Sequence, residues 1–439
     1  MIFMKRFLFP LFILITFSSA AQRILTLEEA IATALQNNYD IRLSKNDSAV
    51  AALNYSYRNA ALLPRLNGNI NGTFNNNDQR QEFTDGTKRE LDDIKSNNYN
   101  LGLQLNWTLF DGMKMFATRD KFAEFVKLGE LGIKNQVVNT IAAVITNYYS
   151  VVRQKQQLKA IEEQMSVNQE RVKIAQYKLD IGVGAKPDVL QSKVDLNAQK
   201  ATQLTQQTLI AQLREQLNQS MNVALNTNYD VIDSIPLDMN LLLVDIRDVA
   251  AKNNPLLLIA EKNIDIANYT LKERIADKYP VLSLNAGYNY QRNNNKATVN
   301  PFQPLYSRNI GRNIGFTATI PIFNNFTVKR NIQQAKLDIQ YQRLIYENQK
   351  SVLDLGVINA YKDYEQQKKA LNLEEENILL AKENVSIALE VYRLGASTIL
   401  QLRDAQQSLE NAYNRLIAAR FNAKLAEIEL LRLKGDLVK

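Results

Sequence analysis

Apolar and polar residues alternate one by one in four stretches of this 439-residue chain, and elsewhere apolar residues recur at three- and four-residue steps. In the first stretch Leu66, Gly68, Ile70, Gly72 and Phe74 alternate with Asn67, Asn69, Asn71, Thr73 and Asn75. Tyr99, Leu101, Leu103, Leu105, Trp107 and Leu109 alternate with Asn100, Gly102, Gln104, Asn106 and Thr108 in the second. The third sets Leu282, Leu284, Ala286, Tyr288 and Tyr290 against Ser283, Asn285, Gly287, Asn289 and Gln291, and the fourth sets Ile314, Phe316, Ala318, Ile320 and Ile322 against Asn313, Gly315, Thr317 and Thr319. A period of two predicts β-strands, here over about 65–76, 98–110, 281–292 and 310–323, joined pairwise by polar loops around Asp85-Gly86 and Asn293–Asn295.

The rest reads as helix. Thr26-Leu27-Glu28-Glu29 forms a capping-box pattern, and the helix it opens is predicted to run to about Leu63, where Pro64 ends it. A matching helix runs from about Asp245 to Tyr279 before Pro280. From Met113 to about Asp180 the apolar stripe is narrow (Ile133, Val137, Ile141, Val144, Tyr148, then Leu158, Ile161, Met165, then Val172, Ala175, Leu179) and flanked by Gln, Lys and Glu, the pattern of a coiled-coil seam. It breaks at 181–187, resumes to about Met221, and returns as a helix from Val328 to Leu394, a break at Gly395 and a helix to about Lys434. Residues 222–244 break the periodicity and are expected to form a small mixed equatorial segment.

The chain is thus written twice, as 22–221 and 245–439. A shift of 213 positions aligns Tyr148 with Tyr361, Lys155 with Lys368, Gly182 with Gly395 and Leu217 with Leu430, and a shift of 216 aligns Asn37-Asn38 with Asn253-Asn254 and Pro64 with Pro280. Single identities arise by chance; the repeated order of element types carries the weight.

A half-buried sheet in a soluble domain would also alternate. Here the polar face is almost wholly Asn, Gln, Ser, Thr and Gly, with charge confined to the loops, which suits barrel strands apolar toward lipid and polar toward a lumen. A membrane tolerates no open sheet edge, and bacterial barrels need at least about eight strands. Four strands cannot close alone, so several chains must pool them: two would give about eight, three about twelve, four about sixteen.

The N-terminus places this object outside the cytoplasm. Lys5 and Arg6, the apolar run Phe7–Phe17 and Ser18-Ser19-Ala20-Ala21 describe a cleavable secretory signal over residues 1–21, too short for a membrane-spanning anchor. With 0 Cys and 0 His, disulfides, Cys/His metal sites and Ser-His or Cys-His nucleophile pairs are excluded, and no cofactor or metal is expected. The formal charge of +8 is spread among acidic residues along the helices, so no nucleic-acid footprint is expected.

At this point the residues resemble the TolC-like outer-membrane efflux protein family, over essentially the whole mature chain. The resemblance is carried by the duplicated plan, by Trp107-Thr108-Leu109-Phe110-Asp111-Gly112 (echoed by Pro321-Ile322-Phe323-Asn324), and by the two helix tips. The tips read Leu179-Asp180-Ile181-Gly182 with Asp188 beyond, and Tyr392-Arg393-Leu394-Gly395 followed by Thr398-Ile399-Leu400. The resemblance implies an α+β membrane protein: a homotrimer in the outer membrane of a Gram-negative bacterium, touching outer-membrane lipid. Its twelve-stranded transmembrane barrel would continue as a coiled-coil helical tube in the periplasm. It further implies passive conduction rather than catalysis, and docking by the tips to a periplasmic adaptor and an inner-membrane pump of RND or ABC type. A secreted structural coiled coil without a pore is the competing reading.

By position, the family's closing contacts fall on Asp188 and Tyr392, with Asp404 forming a carboxylate ring. Gln401 stands where another aspartate ring would be and Ser397 where an arginine would be, so the latch is expected to hold less tightly. Gly182, Gly184 and Gly395 would present a tight turn for an adaptor to grip. Each residue also has a plain structural reading: Asp188 follows Pro187 at a helix start and suits the helix dipole, Tyr392 suits a coiled-coil core, and Asp404 suits any exposed helix surface.

Overall fold

The computed structural model describes residues 23–437; the expected secretory signal lies outside the described residues. In chain order the elements are β1 (Ile24–Leu25), α1 (Leu27–Asn37), α2 (Tyr39–Ser56), β2 (Arg65–Glu82), β3 (Lys88–Phe110), α3 (Lys114–Asp180), α4 (Lys186–Met221) and β4 (Asp230–Val231). They continue as α5 (Leu243–Asn253), α6 (Pro255–Ala276), β5 (Val281–Asn295), β6 (Tyr306–Thr319), α7 (Thr327–Arg393) and α8 (Ile399–Lys434). The long helices α3 and α7 each have 67 residues, and α4 and α8 each have 36. Their four boundaries recur 213 positions apart, Lys114 with Thr327 through Met221 with Lys434. Among the described residues no helix is long and apolar enough to cross a membrane.

Two compact units emerge, and neither is one half of the sequence. One collects residues up to Ile41, Val137–Ile246 and those from Val357 onward; the other collects Arg42–Gln136 and Arg247–Gly356.

The second unit carries an antiparallel sheet of order β2-β3-β5-β6, so the central pairing, β3 with β5, joins the two halves of the chain. Register keeps the alternation in phase across all four strands: Ile70 faces Leu101, Leu101 faces Tyr290 and Tyr290 faces Ile310. One face therefore collects the apolar residues, with Ile70 at 85% and Ile314 at 74% exposure. The other collects Asn69, Gly102, Asn289 and Gly311 and their neighbours. Where the strands meet the helices, α3 presents Lys114, Thr118 and Lys121 along one stripe to the end of α6. Lys114 Nζ lies 2.8 Å from Asp277, Thr118 Oγ1 donates to Glu273 at 2.6 Å, and Lys121 Nζ also pairs with Glu273.

The first unit is helical. Its core holds Ala30, Ala34, Val144, Tyr148, Tyr149, Val152, Leu217 and Met221, with Leu437 packed against it. A connector rich in polar residues leaves α4 and is pinned by side chains of α3 and α7, with Lys155 and Lys368 at matching positions of the two halves. Lys155 Nζ donates to the Val231 carbonyl at 2.7 Å and pairs with Asp230 and Asp233, and Lys368 Nζ donates to the Met239 carbonyl at 2.7 Å. The Tyr148 hydroxyl donates to the Leu25 carbonyl at 2.9 Å and the Tyr364 hydroxyl donates to the Asp238 carbonyl at 2.7 Å. Burial pushes the Asp230 carboxyl upward, but the Lys155 ammonium, the Val231 N–H and Arg214 hold it below its ordinary value.

Three sequence expectations need correction. The segment from Thr26 is two helices and a 3-10 turn at Ala60–Leu62, because Asn38 is extended and its Oδ1 accepts the N–H groups of Asp40 and Ile41 at 2.9 and 3.3 Å. Asn254 does the same for α6, accepting from Leu256 and Leu257, with Pro255 opening the helix. A side-chain oxygen that caps a new helix ends the old one. The fourth strand stops at Thr319 rather than 323, because Pro321 has no N–H to continue the ladder. The first two strands instead run well past the expected loop, pairing out to Glu82 with Lys88. Their outer part is polar except for Leu91 and Ile94 and shows no period, but ladder hydrogen bonds do not depend on side-chain polarity.

The β3–α3 turn has no slack. Gly112 has φ +72°, and an added Cβ would stand 2.5 Å from the Ala276 carbonyl oxygen and 2.9 Å from Tyr279 Cβ. Gly112→Ala is expected to destabilise the protein by roughly 2–3 kcal/mol, combining left-handed strain with a backbone collision. Thermal unfolding of the purified protein checks this, and an unchanged midpoint would show that the turn can relax.

Candidate functional site

The two hairpins, α3/α4 and α7/α8, turn in the same way. Gly182 (φ +80°) and Gly395 (φ +79°) take the left-handed conformation that ends α3 and α7. Val183 N–H donates to the Lys178 carbonyl and Gly182 N–H to the Leu179 carbonyl; Ala396 N–H donates to Val391 and Gly395 N–H to Tyr392. This is one helix-stop motif built twice, and it needs a residue without a Cβ penalty at each turn. Gly184 is required by space, since a Cβ there would lie 2.8 Å from the backbone of Leu179.

Tyr392 is 4% exposed and packs with Ile174, Leu402, Ala388, Leu389 and Ile399. Lys178 Nζ sits 4.1 Å from its ring centroid and donates to its carbonyl, so α3 holds the end of α7 by a cation over an aromatic face and by a hydrogen bond. Burial raises the Tyr392 hydroxyl above its ordinary value, and the Asp188 carboxylate raises it further against the opposing charge of Arg171. Asp188 thus reaches Tyr392 through its charge alone, and among the described residues no hydrogen bond joins the two side chains. Asp188 sits in the first turn of α4, whose N-cap Ala185 provides no side-chain cap.

Gln401 has a different employment. Its N–H donates to Thr398 Oγ1 at 3.4 Å while its side-chain oxygen accepts from the Thr398 N–H at 3.2 Å, which closes a capping box on α8. Asp404 is exposed one turn on, with its carbonyl accepting from Ser408 Oγ at 2.9 Å. Ser397 Oγ is buried without a partner.

A group that ties the two hairpins together carries no mark in the helical pattern. Arg171 of α3 is only 2% exposed, donating to Asp195 Oδ2 of α4 at 2.6 Å and to Gln406 Oε1 of α8 at 2.7 Å. Arg403 approaches the same carboxylate at 3.3 Å. Burial lowers the Arg171 pKa, and the charge and hydrogen bond of Asp195 work against that. A cavity of about 190 Å³ adjoins the group, lined also by Gln164, Asn168 and Gln199, and Arg171 Nε and Asn168 Oδ1 have no hydrogen-bond partner among the described residues. The overlooked signal was a departure from the repeat: positions 384 and 408, which answer to Arg171 and Asp195, are Asn384 and Ser408.

Comparison with known proteins follows from this geometry. The family model described as "Outer membrane efflux protein" matches residues 30–223 and 246–436. The chain belongs to the outer membrane efflux protein family. BepC, an outer membrane efflux protein of Brucella suis biovar 1 (strain 1330), is 21% identical over 424 residues, covering 93% of this chain and 85% of its own. The outer membrane protein TolC of Escherichia coli (strain K12) is 22% identical over 432 residues, covering 96% and 84%. In fold, the solved outer-membrane channel OprN matches with a TM-score of 0.74 at 18% identity, over 93% of this chain and 90% of that one. This efflux protein is a TolC-like exit duct, and its place is the outer membrane of a Gram-negative bacterium.

Two outcomes follow for the tips of this efflux protein. Asp195→Asn strands the buried Arg171 cation and is expected to cost about 3–5 kcal/mol, whereas Arg171→Met/Asp195→Asn should lose markedly less. Thermal unfolding of the two variants side by side decides it. A raised Tyr392 pKa means its packing is fully present below the ordinary value near pH ~10 and is lost as pH rises through the raised one. Asp188→Asn should bring that titration down, read as tyrosinate absorbance with Tyr392→Phe subtracted; an unmoved curve would place Asp188 out of reach.

Proposed function

We propose that three copies of this chain assemble into one closed, water-filled duct that conducts passively and catalyses nothing. The observation that carries the reading is the open sheet. β2 and β6 are its edges, one face is exposed and apolar except for Arg292, Arg308 and Arg312 near the loop end, and the other is mostly Asn, Gln, Ser, Thr and Gly. In a bilayer such edges must be paired, and three copies would supply about twelve strands, within the range known for outer-membrane barrels. Apolar side chains also lie bare on the helices of a single chain, among them Leu190, Val194 and Leu204 on α4 and Leu379, Leu380 and Ile387 on α7. Neighbouring copies would cover them as the helices complete a periplasmic tube. The family's plan implies the trimer, and with it an adaptor in the periplasm and an RND or ABC-type pump in the inner membrane that supply both cargo and energy.

The hairpin tips are the proposed gate. Asp188 and Tyr392 close it within the electrostatic reach described above, and Asp404 supplies an exposed carboxylate to the constriction. Gln401, engaged in the α8 capping box, shapes the tip rather than binding ions. Gly182, Gly184 and Gly395 leave bare backbone at the turns for an adaptor to grip. A lumen lined with neutral amides and hydroxyls passes solutes without holding them.

Single-channel conductance in planar bilayers tests the reading, wild type beside Asp188→Ala/Tyr392→Phe. A small, steady conductance that rises several-fold in the double variant is expected. A large conductance unaltered by the substitutions would keep the duct and remove the latch, and silence from folded, inserted protein would remove the duct.

A further inference from the structure

The lipid-facing side of the sheet carries three arginines that no carboxylate neutralises among the described residues. Even-numbered positions of β5 and β6 share the apolar face, and with Leu284, Ile314 and Phe316 they include Arg292, Arg308 and Arg312. Among the described residues none of the three pairs with a carboxylate, although Arg80, Lys88 and Lys95 of the neighbouring hairpin are all matched, with Glu90, Glu82 and Asp93. Arg292 and Arg308 stand directly opposite each other in the ladder, on one face. Like charges placed so are destabilising unless something negative lies between them.

The arginines are held in place rather than free. The Arg292 guanidinium lies 5.5 Å from the Tyr306 ring centroid, Arg308 lies 5.5 Å from Tyr290, and Arg312 lies 5.8 Å from Tyr288. Three cations are thus laid over three tyrosines on an otherwise apolar surface. Tyrosine belongs at a membrane–water boundary, and strand height agrees with that position. From Thr319 the strand climbs roughly 18 Å to Arg312 and roughly 28 Å to Arg308, at about 3.3 Å per residue and a tilt near 40°. An apolar band about 25 Å tall ends between them. Arginine on a lipid face costs about 2–4 kcal/mol at mid-membrane and little at the boundary, where its stem can lie on lipid while its head reaches polar groups.

Which boundary this is follows from connectivity. All four strand ends at Arg65, Phe110, Val281 and Thr319 lead toward helices, whereas the arginines lie at the end where β5 and β6 are joined by a loop. With helices on the periplasmic side, the loop end faces the outer leaflet. We propose that Arg292, Arg308 and Arg312 form a binding site for the phosphorylated glycolipid headgroup of that leaflet. The planar guanidinium of arginine pairs with phosphate through two parallel hydrogen bonds, which suits it to such a headgroup. This proposal rests on the membrane-spanning reading of the sheet.

The experiment uses the purified, detergent-solubilised oligomer with bisphosphorylated lipid A, detected by native mass spectrometry. The same lipid without phosphates and free inorganic phosphate serve as comparison probes. Wild type is expected to retain the bisphosphorylated lipid, and Arg292→Gln/Arg308→Gln/Arg312→Gln to bind it at least tenfold more weakly. Heat-modifiable migration shows that the variant is folded; Arg308→Gln alone, which should lose several-fold, serves if the triple variant is not. Equal retention by variant and wild type, or equal retention of the phosphate-free lipid, overturns the proposal. So does displacement by inorganic phosphate at millimolar levels, which would assign the cluster to a free anion. An oligomer that falls apart in the variant while each remaining chain keeps its lipid would make these arginines contacts between copies. Wild-type protein that does not insert into phosphatidylcholine bilayers would fail at the membrane reading itself, which conductance reports separately.

Discussion

Backbone hydrogen bonding is the constraint on which this molecule depends. A strand exposed to lipid has no water to satisfy its N–H and C=O groups, so each must find another strand. Within the chain that demand is met between β2 and β3, β3 and β5, and β5 and β6, and it is left open along the outer sides of β2 and β6. On the proposed membrane-spanning reading, the open edges would make a single chain an incomplete object. They also explain why the sheet tolerates a row of asparagines on one face: the backbone is held by its ladder, leaving side chains such as Asn285, which donates to Thr317 Oγ1 at 3.0 Å, to line a wet surface.

The helical unit solves a different problem, which is how to keep very long helices in register. At about 1.5 Å per residue, α3 and α7 would each run roughly 100 Å, and a narrow apolar seam alone sets position along the axis weakly. Polar fasteners supply the missing register. Lys155 and Lys368 hold two successive stretches of the connector by its carbonyls. Nearer the tips Arg171 ties three helices through Asp195 and Gln406. Buried charge of this kind adds little net stability compared with apolar packing, but removing one partner is expensive, which is what a register device requires.

The tips combine stiffness with a capacity to change. Their turns are hydrogen-bonded stops built on Gly182 and Gly395, and the second helix start is closed by the Thr398–Gln401 box. Between them Tyr392 is packed against apolar neighbours with a lysine over its ring and a carboxylate near its hydroxyl.

Much of this was legible in the residues because it depends on local periodicity. Alternation at Leu101–Trp107 and Leu282–Tyr290 placed strands, the apolar stripe from Ile133 to Leu179 placed α3, and the prolines and glycines placed the breaks, to within a residue or two for the long helices. The breaks at Asn38 and Asn254 escaped because one asparagine does not interrupt a helical apolar pattern, and only its non-helical backbone and accepted N–H groups mark it as a cap. The outer reaches of β2 and β3 escaped because polar residues carry no period. Asp188, Tyr392, Gln401 and Asp404 could be named only through the family resemblance, and not what each side chain does, since that depends on which helix lies across from it. The same holds for Arg171 with Asp195, and for Arg292 opposite Arg308: they are far apart in sequence, and only chain reversal and strand register bring them together. Sequence alone determined which face each residue joins; tertiary structure decided which charges meet across that face, because period is a local property and pairing is not.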